Sequence, residues 1–185
     1  STMRAVRRLW GRAQRLVLIT DPGPDPDDVK ALLIAAIGHQ RQQIELCAVI
    51  ANGGGEPAKR AALAACILRR LGLNEIPVGI GSTGKPYPTQ KHEYKISGYS
   101  NVRPGDLEDG RTLLRLQLQK ARAKSMRIVC ISSLRDLADA IIDDPDLVEA
   151  KTEVVAIQAG LERSADAEYG WVPDSSVNNG FDPEG

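Results

Sequence analysis

Four aspartates crowd together directly after the first apolar run of the chain. The run ends at Asp21, a Pro/Gly turn follows, and Asp25, Asp27 and Asp28 precede a helical pattern. Carboxylates this close repel one another unless a positive charge lies among them. A hard cation such as Ca²⁺ takes six to eight oxygen ligands, and clustered carboxylates supply them. The spacing therefore predicts a site for a divalent cation and a substrate.

A purely structural interpretation competes with this prediction. Asp27 or Asp28 can act as an ordinary helix N-cap, with the other carboxylate favoured by the helix dipole. The segment from Asp21 to Pro24 can form an ordinary turn. One cap and one turn use two of the four aspartates, so this interpretation leaves the other two without a role.

The elements that must position these aspartates alternate along the chain. Apolar β-rich runs predict strands, and runs with helical spacing between them predict helices. The predicted strands are 16–20, 44–51, 76–80, 127–132 and 153–159, and the predicted helices are 28–38, 56–71, 109–125 and 134–142. Such alternation predicts an α/β fold: an open, mainly parallel Rossmann-like sheet with helices on both faces. Ligands of such sheets bind beyond the carboxyl ends of the strands, where Asp21 falls.

Composition sets limits on partners and compartment. The chain has 185 residues, 42% hydrophobic and 4% aromatic, and its formal net charge is zero. We therefore expect one domain over 16–185 with an aliphatic core, and neither nucleic acid nor membrane as a partner. The three cysteines, Cys47, Cys66 and Cys130, all lie in apolar segments, which predicts buried, reduced thiols.

Residues 1–15 form a basic segment that precedes the first acidic residue. Five arginines and no carboxylate occur there. Such a segment is typical of an organelle transit peptide, which would place the protein in mitochondria, and equally of a solvated arm on a cytoplasmic protein. We expect a basic N-terminal arm or leader, on a chain that is cytoplasmic or organellar.

The aspartate pattern resembles the N-terminal signature of nucleoside hydrolases, the Ca²⁺-dependent N-ribohydrolases of the inosine–uridine type. In that family an apolar strand runs into Asp-Pro-Gly, and an Asp-Asp pair opens the next helix. Here the pair Asp27-Asp28 comes two residues later, after Asp25-Pro26. The likeness extends over 16–185, through segments in the family's order: 50–55, 77–81, 128–137, 154–160 and 173–184.

The resemblance implies a calcium site and a reaction. Asp21 would ligate Ca²⁺ and take a proton from the attacking water, which makes it the catalytic residue. Asp28 would ligate the metal as well, and a main-chain carbonyl near Ile131 or Ser132 would complete part of the shell. The implied reaction is hydrolysis of the N-glycosidic bond of ribonucleosides to ribose and free base. Such cleavage builds positive charge on the sugar, which nearby carboxylates stabilise.

The resemblance also implies which residues hold the substrate. Asp27 would bind ribose hydroxyls, and Asn178 matches a ribose-binding asparagine in the late loop of the family. A further ribose-binding asparagine is expected after the second strand, and Asn52 lies near that place. Carboxylates and amides suit this task because a ribose diol offers both donors and acceptors.

Several family features differ here or fall beyond Gly185. Ile19 and Ser176 stand where the family has an aspartate and a glutamate, and the final metal-ligating aspartate of the family lies downstream. We therefore expect a chain that lacks the C-terminal part of the family fold, with a homo-oligomer or a partner chain completing the site. The alternative is a catalytically inactive relative that serves as a binding or structural subunit of a larger assembly. An aspartate-nucleophile phosphatase is a further alternative, but it would want a Thr or Ser soon after an Asp-x-Asp pair and a supporting lysine, and Asp21-Pro22-Gly23-Pro24 supplies neither clearly.

Overall fold

The computed structural model describes residues 13–23, 26–86 and 94–181. Most of the predicted basic arm, Asp25 and residues 182–185 lie outside the described residues, so the expectations for them stay predictions. Of the six strands that form the central sheet of the described residues, five were predicted from the sequence.

One parallel sheet forms the centre of the described chain. Its strand order is β4-β3-β2-β1-β5-β6, and every neighbouring pair is parallel. The strands are β1 (Gln14–Thr20), β2 (Ile44–Ala51), β3 (Val78–Ile80), β4 (Glu108–Asp109), β5 (Met126–Cys130) and β6 (Thr152–Ile157). The predicted open parallel α/β sheet is confirmed.

Helices connect the strands, and an antiparallel hairpin follows them. The helices are α1 (Pro26–Gln40), α2 (Pro57–Arg70), α3 (Gly110–Lys120), α4 (Arg135–Asp143), α5 (Pro145–Lys151) and α6 (Val177–Phe181), and the hairpin pairs β7 (Leu161–Arg163) with β8 (Trp171–Pro173). The sequence prediction missed β4, α5, the hairpin and α6. All are short, and periodicity needs several turns or residue pairs to be visible.

Apolar residues pack on both faces of the sheet, because successive side chains of a strand point to opposite faces. On one face Leu18 and Val49 pack with residues of α1 and α2. On the other face Val17, Ile19 and Ile128 pack with residues of α3 and α4. Helices therefore cover both faces, as predicted.

The path of the chain creates a crevice beside β1. The chain moves outward from β1 through β2 and β3 to β4, and then returns to β5 on the other side of β1. The crossovers therefore leave in opposite directions from the carboxyl ends of β1 and β5. Open α/β sheets bind their ligands at such a switch point.

The far edge of the sheet is much less covered. Thr152 is buried, but every later residue of β6 is exposed, including Val154, Val155 and Ile157. The helices of the described residues therefore cover the centre of the sheet more fully than its β6 edge. Within the described helices, none is long and apolar enough to cross a membrane.

The three cysteines are buried and unpaired, as expected from their apolar surroundings. Burial raises the pKa of the Cys130 thiol to about 12, and the nearby carboxylates of Asp136, Asp21 and Asp28 add to this effect. A thiol with so high a pKa is a poor nucleophile at neutral pH. These side chains fill the core.

Candidate functional site

Asp21 and Asp28 form a buried carboxylate pair at the carboxyl end of β1. Asp28 Oδ1 accepts a hydrogen bond from the Thr20 hydroxyl and a second one, 3.1 Å long, from the backbone N–H of Asp21. Asp28 lies in the first turn of α1, so the turn after β1 folds back onto its own strand end. The relative exposure of the two residues is 8% and 7%.

The pair is electrostatically costly without a cation. Burial and the charge of Asp28 raise the pKa of Asp21 to about 8, against the opposing effect of Arg60. Burial also raises the pKa of Asp28, although the bonds from Thr20 and Asp21 oppose the shift. Buried carboxylates that gain no compensating charge take up a proton instead. A pair in this state suits either a shared proton or a bound cation.

Asp27 lies beside the pair but faces outward. It is exposed in the first turn of α1, and its charge raises the pKa of both Asp21 and Asp28. One carboxylate of the Asp27-Asp28 pair is therefore buried at the strand end, and the other is open to solvent at the rim. Neither an ordinary N-cap nor an ordinary turn accounts for the burial of Asp21 and Asp28 together.

A buried arginine holds the turn that carries Asp21. Arg60 in α2 is 1% exposed, and its Nη1 donates a 2.6 Å hydrogen bond to the carbonyl oxygen of Asp21. A Cβ on Gly23 or on Gly54 would overlap the guanidinium. The glycines therefore leave the space that this cation fills. Sequence analysis missed Arg60, whose signal is an arginine followed directly by the apolar, Ala-rich run 61–68.

A second polar cluster lies at the same edge of the sheet, after β2. The Asn52 Nδ2 donates to the carbonyl oxygen of Ser133 (2.9 Å) and to Asp136 Oδ2 (2.6 Å). Asp136 also accepts bonds from the backbone N–H and the hydroxyl of Ser82. Asn52 itself is fully buried. Sequence analysis predicted Asn52 but missed Asp136, which follows β5 by six residues and carries no motif that marks it.

The predicted carbonyl of Ile131 and the predicted Asn178 lie together. Asn178 Nδ2 donates to the carbonyl oxygens of Gln158 (2.5 Å) and Ile131 (3.3 Å). Ile131 is tied to β1 by its N–H, which donates to the Ile19 carbonyl oxygen. Asn178 therefore bridges the carboxyl ends of β5 and β6.

The structure thus places all the predicted site residues at the carboxyl edge of one sheet. Asp21 and Asp28 contact each other directly, and Asn178 contacts Ile131, whereas Asn52 is bonded to Asp136 and Ser133. Their roles in binding and catalysis stay predictions. Among the described residues, no group of three or more His, Cys, Asp and Glu side chains is arranged to hold a metal ion. The hard oxygens of Asp21 and Asp28 fit Ca²⁺ in chemistry, and they supply only part of its shell.

Comparison with known proteins gives matches in structure alone. No protein-family model and no curated protein matches the sequence. The crystal structure of the type III effector protein XopQ complexed with adenosine diphosphate ribose aligns with 98% of this chain and 55% of that chain, at 26% identity and a TM-score of 0.76.

Nucleoside hydrolases align as well. The inosine-uridine preferring nucleoside hydrolase from Bacillus anthracis is 19% identical with a TM-score of 0.66, and the alignment covers 92% of this chain and 59% of that chain. A plant nucleoside hydrolase is 19% identical with a TM-score of 0.62, covering 92% and 54%. The chain spans little more than half the length of these proteins. Over that span, the resemblance seen in the sequence is confirmed in three dimensions: the chain has the nucleoside hydrolase fold.

Proposed function

We propose that this chain binds Ca²⁺ through Asp21 and Asp28 and takes part in hydrolysis of the N-glycosidic bond of ribonucleosides. The observation that carries the proposal is the buried carboxylate pair at the switch point of a sheet with the nucleoside hydrolase fold. Two buried carboxylates are stabilised by a positive charge beside them. Cleavage of an N-glycosidic bond develops positive charge on the sugar, which nearby carboxylates stabilise.

Each residue has a role in this proposal that its position supports. When bound, Ca²⁺ lowers the pKa of a water so that hydroxide forms nearer to neutral pH. Asp21 would take a proton from the attacking water at its carboxylate. The exposed carboxylate of Asp27 accepts hydrogen bonds from ribose hydroxyls at the rim. Ile131 offers its carbonyl oxygen, and Asn178 lies against it.

The reaction class follows from the charge that develops on the sugar. The bond between the anomeric carbon and the base nitrogen breaks, its electron pair leaves with the base, and the water oxygen bonds to the anomeric carbon. Positive charge on the ribose in the transition state is stabilised by the carboxylates of Asp21 and Asp27. The base takes up a proton, so the products are ribose and free base.

Calcium titration paired with a ribose assay tests the proposal. We expect calorimetric Ca²⁺ binding by the 185-residue chain, and ribose release from inosine or uridine that depends on Ca²⁺. Asp21→Ala should remove the release. Calcium binding without turnover would contradict hydrolysis by this chain alone and favour the alternative, an inactive binding or structural subunit of a larger assembly.

A second candidate is binding of a ribose-containing nucleotide without hydrolysis. It is favoured by the alignment with XopQ, whose crystal structure contains adenosine diphosphate ribose, because that alignment has higher identity and a higher TM-score than those with the hydrolases. Titration with adenosine diphosphate ribose distinguishes the two. Saturable binding with no release of ribose from inosine or uridine supports this candidate, and turnover of either nucleoside contradicts it.

A further inference from the structure

The side-chain amide oxygen of Asn52 is buried and has no hydrogen-bond partner among the described residues. The residue has 0% exposure, and no described group donates a hydrogen bond to its Oδ1. An amide oxygen that is buried and unbonded has lost its hydration without compensation, so such an atom needs an explanation. A bound ligand with a hydrogen-bond donor would provide one.

The hydrogen bonds of Asn52 determine the orientation of its side-chain amide. Both of its observed acceptors, the Ser133 carbonyl oxygen and Asp136 Oδ2, can only receive hydrogen bonds, so they require the NH2 group to face them. The oxygen must then point the other way. Rotation of the amide by a half-turn would set its oxygen against two other oxygens, with no donor between them.

The position of this amide places it beside the carboxylate pair. The Asn52 N–H donates to the Thr20 carbonyl oxygen, and its side chain reaches Ser133 on the far side of β1, so it crosses the end of β1. The next residue, Gly53, lies against Asp21, since a Cβ there would be 3.6 Å from Asp21 Oδ2. The amide therefore crosses the strand end that carries the candidate site.

Asp136 is itself held firmly. It is 5% exposed and accepts from the Ser82 N–H at 2.9 Å, the Ser82 hydroxyl at 2.9 Å and Asn52 Nδ2 at 2.6 Å. A Cβ on Gly81 would lie 2.8 Å from the Asn52 Cβ and 2.9 Å from Asp136 Oδ2, so the cluster is closely packed. With this many donors on one carboxylate, its orientation is fixed.

We propose that Asp136 is a positioning residue that holds the Asn52 amide with Oδ1 presented as an acceptor to a sugar hydroxyl at the Asp21 site. This inference rests on the proposed function for the identity of the ligand. The fixed orientation of the amide stands independently of it. Asp136 touches no substrate in this arrangement and acts through Asn52.

The test uses Asp136→Asn, which keeps the size of the side chain but replaces one acceptor with a donor. The NH2 group of residue 136 then faces either Asn52, which turns the Asn52 amide, or the Ser82 N–H, which loses its acceptor. Either way, the hold of residue 136 on the Asn52 amide is weakened. Asp139→Asn is the matched control, because Asp139 lies on the same helix and pairs only loosely with Arg135, at 3.9 Å. Ser82→Ala, which removes one donor to Asp136, is a milder second variant should Asp136→Asn fail to fold.

Two readouts separate this inference from the proposed function. We expect NMR to find the Asn52 NH2 protons protected from solvent exchange in the wild type and in Asp139→Asn, and exposed to faster exchange in Asp136→Asn. We expect the inosine affinity of Asp136→Asn to fall about tenfold, the effect of losing one acceptor of a buried hydrogen bond, with Ca²⁺ affinity changed less than about twofold.

The outcomes distinguish the two proposals. Equal exchange of the Asn52 NH2 protons in wild type and Asp136→Asn overturns the positioning role, and so does an equal loss of inosine affinity in Asp136→Asn and Asp139→Asn. Absence of both calcium and inosine binding in the wild type, with protected Asn52 protons, overturns the proposed function and leaves the positioning role supported.

Discussion

Two segments of this chain combine adjacent aspartates with a neighbouring proline, and they lie in opposite environments. Asp28, from the pair that follows Pro26, is buried with Asp21 at the carboxyl end of β1. Asp143 and Asp144 lie at the junction of α4 and α5, on the surface, with side chains 35% exposed. Similar local composition thus serves two different purposes.

The arginine near each pair differs in the same way. Arg111 is exposed and binds both carboxylate oxygens of Asp143, which neutralises that charge in solvent. Arg60 is buried, and its observed bond to Asp21 goes to the main-chain carbonyl rather than to the carboxylate. The Asp143 pair is already satisfied, with Asp144 serving as N-cap of α5 through a 3.1 Å bond from Leu147 N–H. The Asp21 and Asp28 carboxyls instead lie buried, and the pKa of each is raised.

The largest difference between the two pairs is expected in calcium binding. Asp28→Asn keeps the shape and an oxygen that can accept from Thr20, but it removes one of two negative charges. We expect its Ca²⁺ affinity to fall at least about a hundredfold, roughly 3 kcal/mol. Asp143→Asn, measured beside it by calorimetry, should bind Ca²⁺ as the wild type does. Equal loss in both variants would mean that the buried pair is not the calcium site.

The packing around Arg60 allows a second test, of stability. Gly54 has φ +66°, and a Cβ there would overlap the Arg60 guanidinium, whereas Gly72 has φ +73° and open space around it. Both changes to alanine strain the backbone, but Gly54→Ala also displaces the arginine. We expect Gly54→Ala to lower the free energy of unfolding by about 2 kcal/mol more than Gly72→Ala in urea titrations. A difference near zero would show that Arg60 moves aside freely.

The raised pKa of Asp21 predicts that stability and calcium binding depend on pH. The pKa of Asp21 is 3.8 when unperturbed and about 8 in the folded chain. Between these two pH values the folded state binds the proton of Asp21 more tightly than the unfolded state does. Without metal, the contribution of Asp21 to stability is full below the lower value and is lost as the pH rises towards the upper one.

Calcium must displace that proton, so its affinity should rise with pH. We expect an increase of up to about tenfold for each pH unit below the folded pKa and a plateau above it. Calorimetry from about pH 6 to about pH 9 measures this dependence. In Asp21→Asn the dependence that remains should be shallower, and an unchanged slope would contradict the assignment to Asp21.

The smallest effect is expected at the exposed pair. Asp144→Ala removes the N-cap of α5, which should lower the free energy of unfolding by about 1 kcal/mol. Calcium affinity should not change, because Asp144 lies at the surface between α4 and α5 and already has a partner. Thermal unfolding with and without Ca²⁺ tests both statements. A loss of the calcium-dependent stabilisation in this variant would contradict the assignment of calcium binding to Asp21 and Asp28 alone.

The sequence by itself determined five strands of the sheet, most of the helices and the place of the aspartates at the end of β1. Buried strands appear as apolar runs and helices as periodic ones, because both depend on the local pattern of burial. Asp21 and Asp28 were found because four aspartates next to a strand end have few structural uses. The resemblance to nucleoside hydrolases rested on the same local residues.

Only the tertiary structure decided which distant residues join Asp21 and Asn52 at the carboxyl edge of the sheet. Arg60 and Asp136 come from helices after other strands, and the parallel sheet brings them to the same edge through contacts between residues 39 and 84 positions apart. No local pattern reports such contacts, because they depend on strand order. The exposure of β6 also depends on the tertiary structure. Its run of apolar residues is typical of a covered strand, and only the neighbours of the strand show that it is exposed.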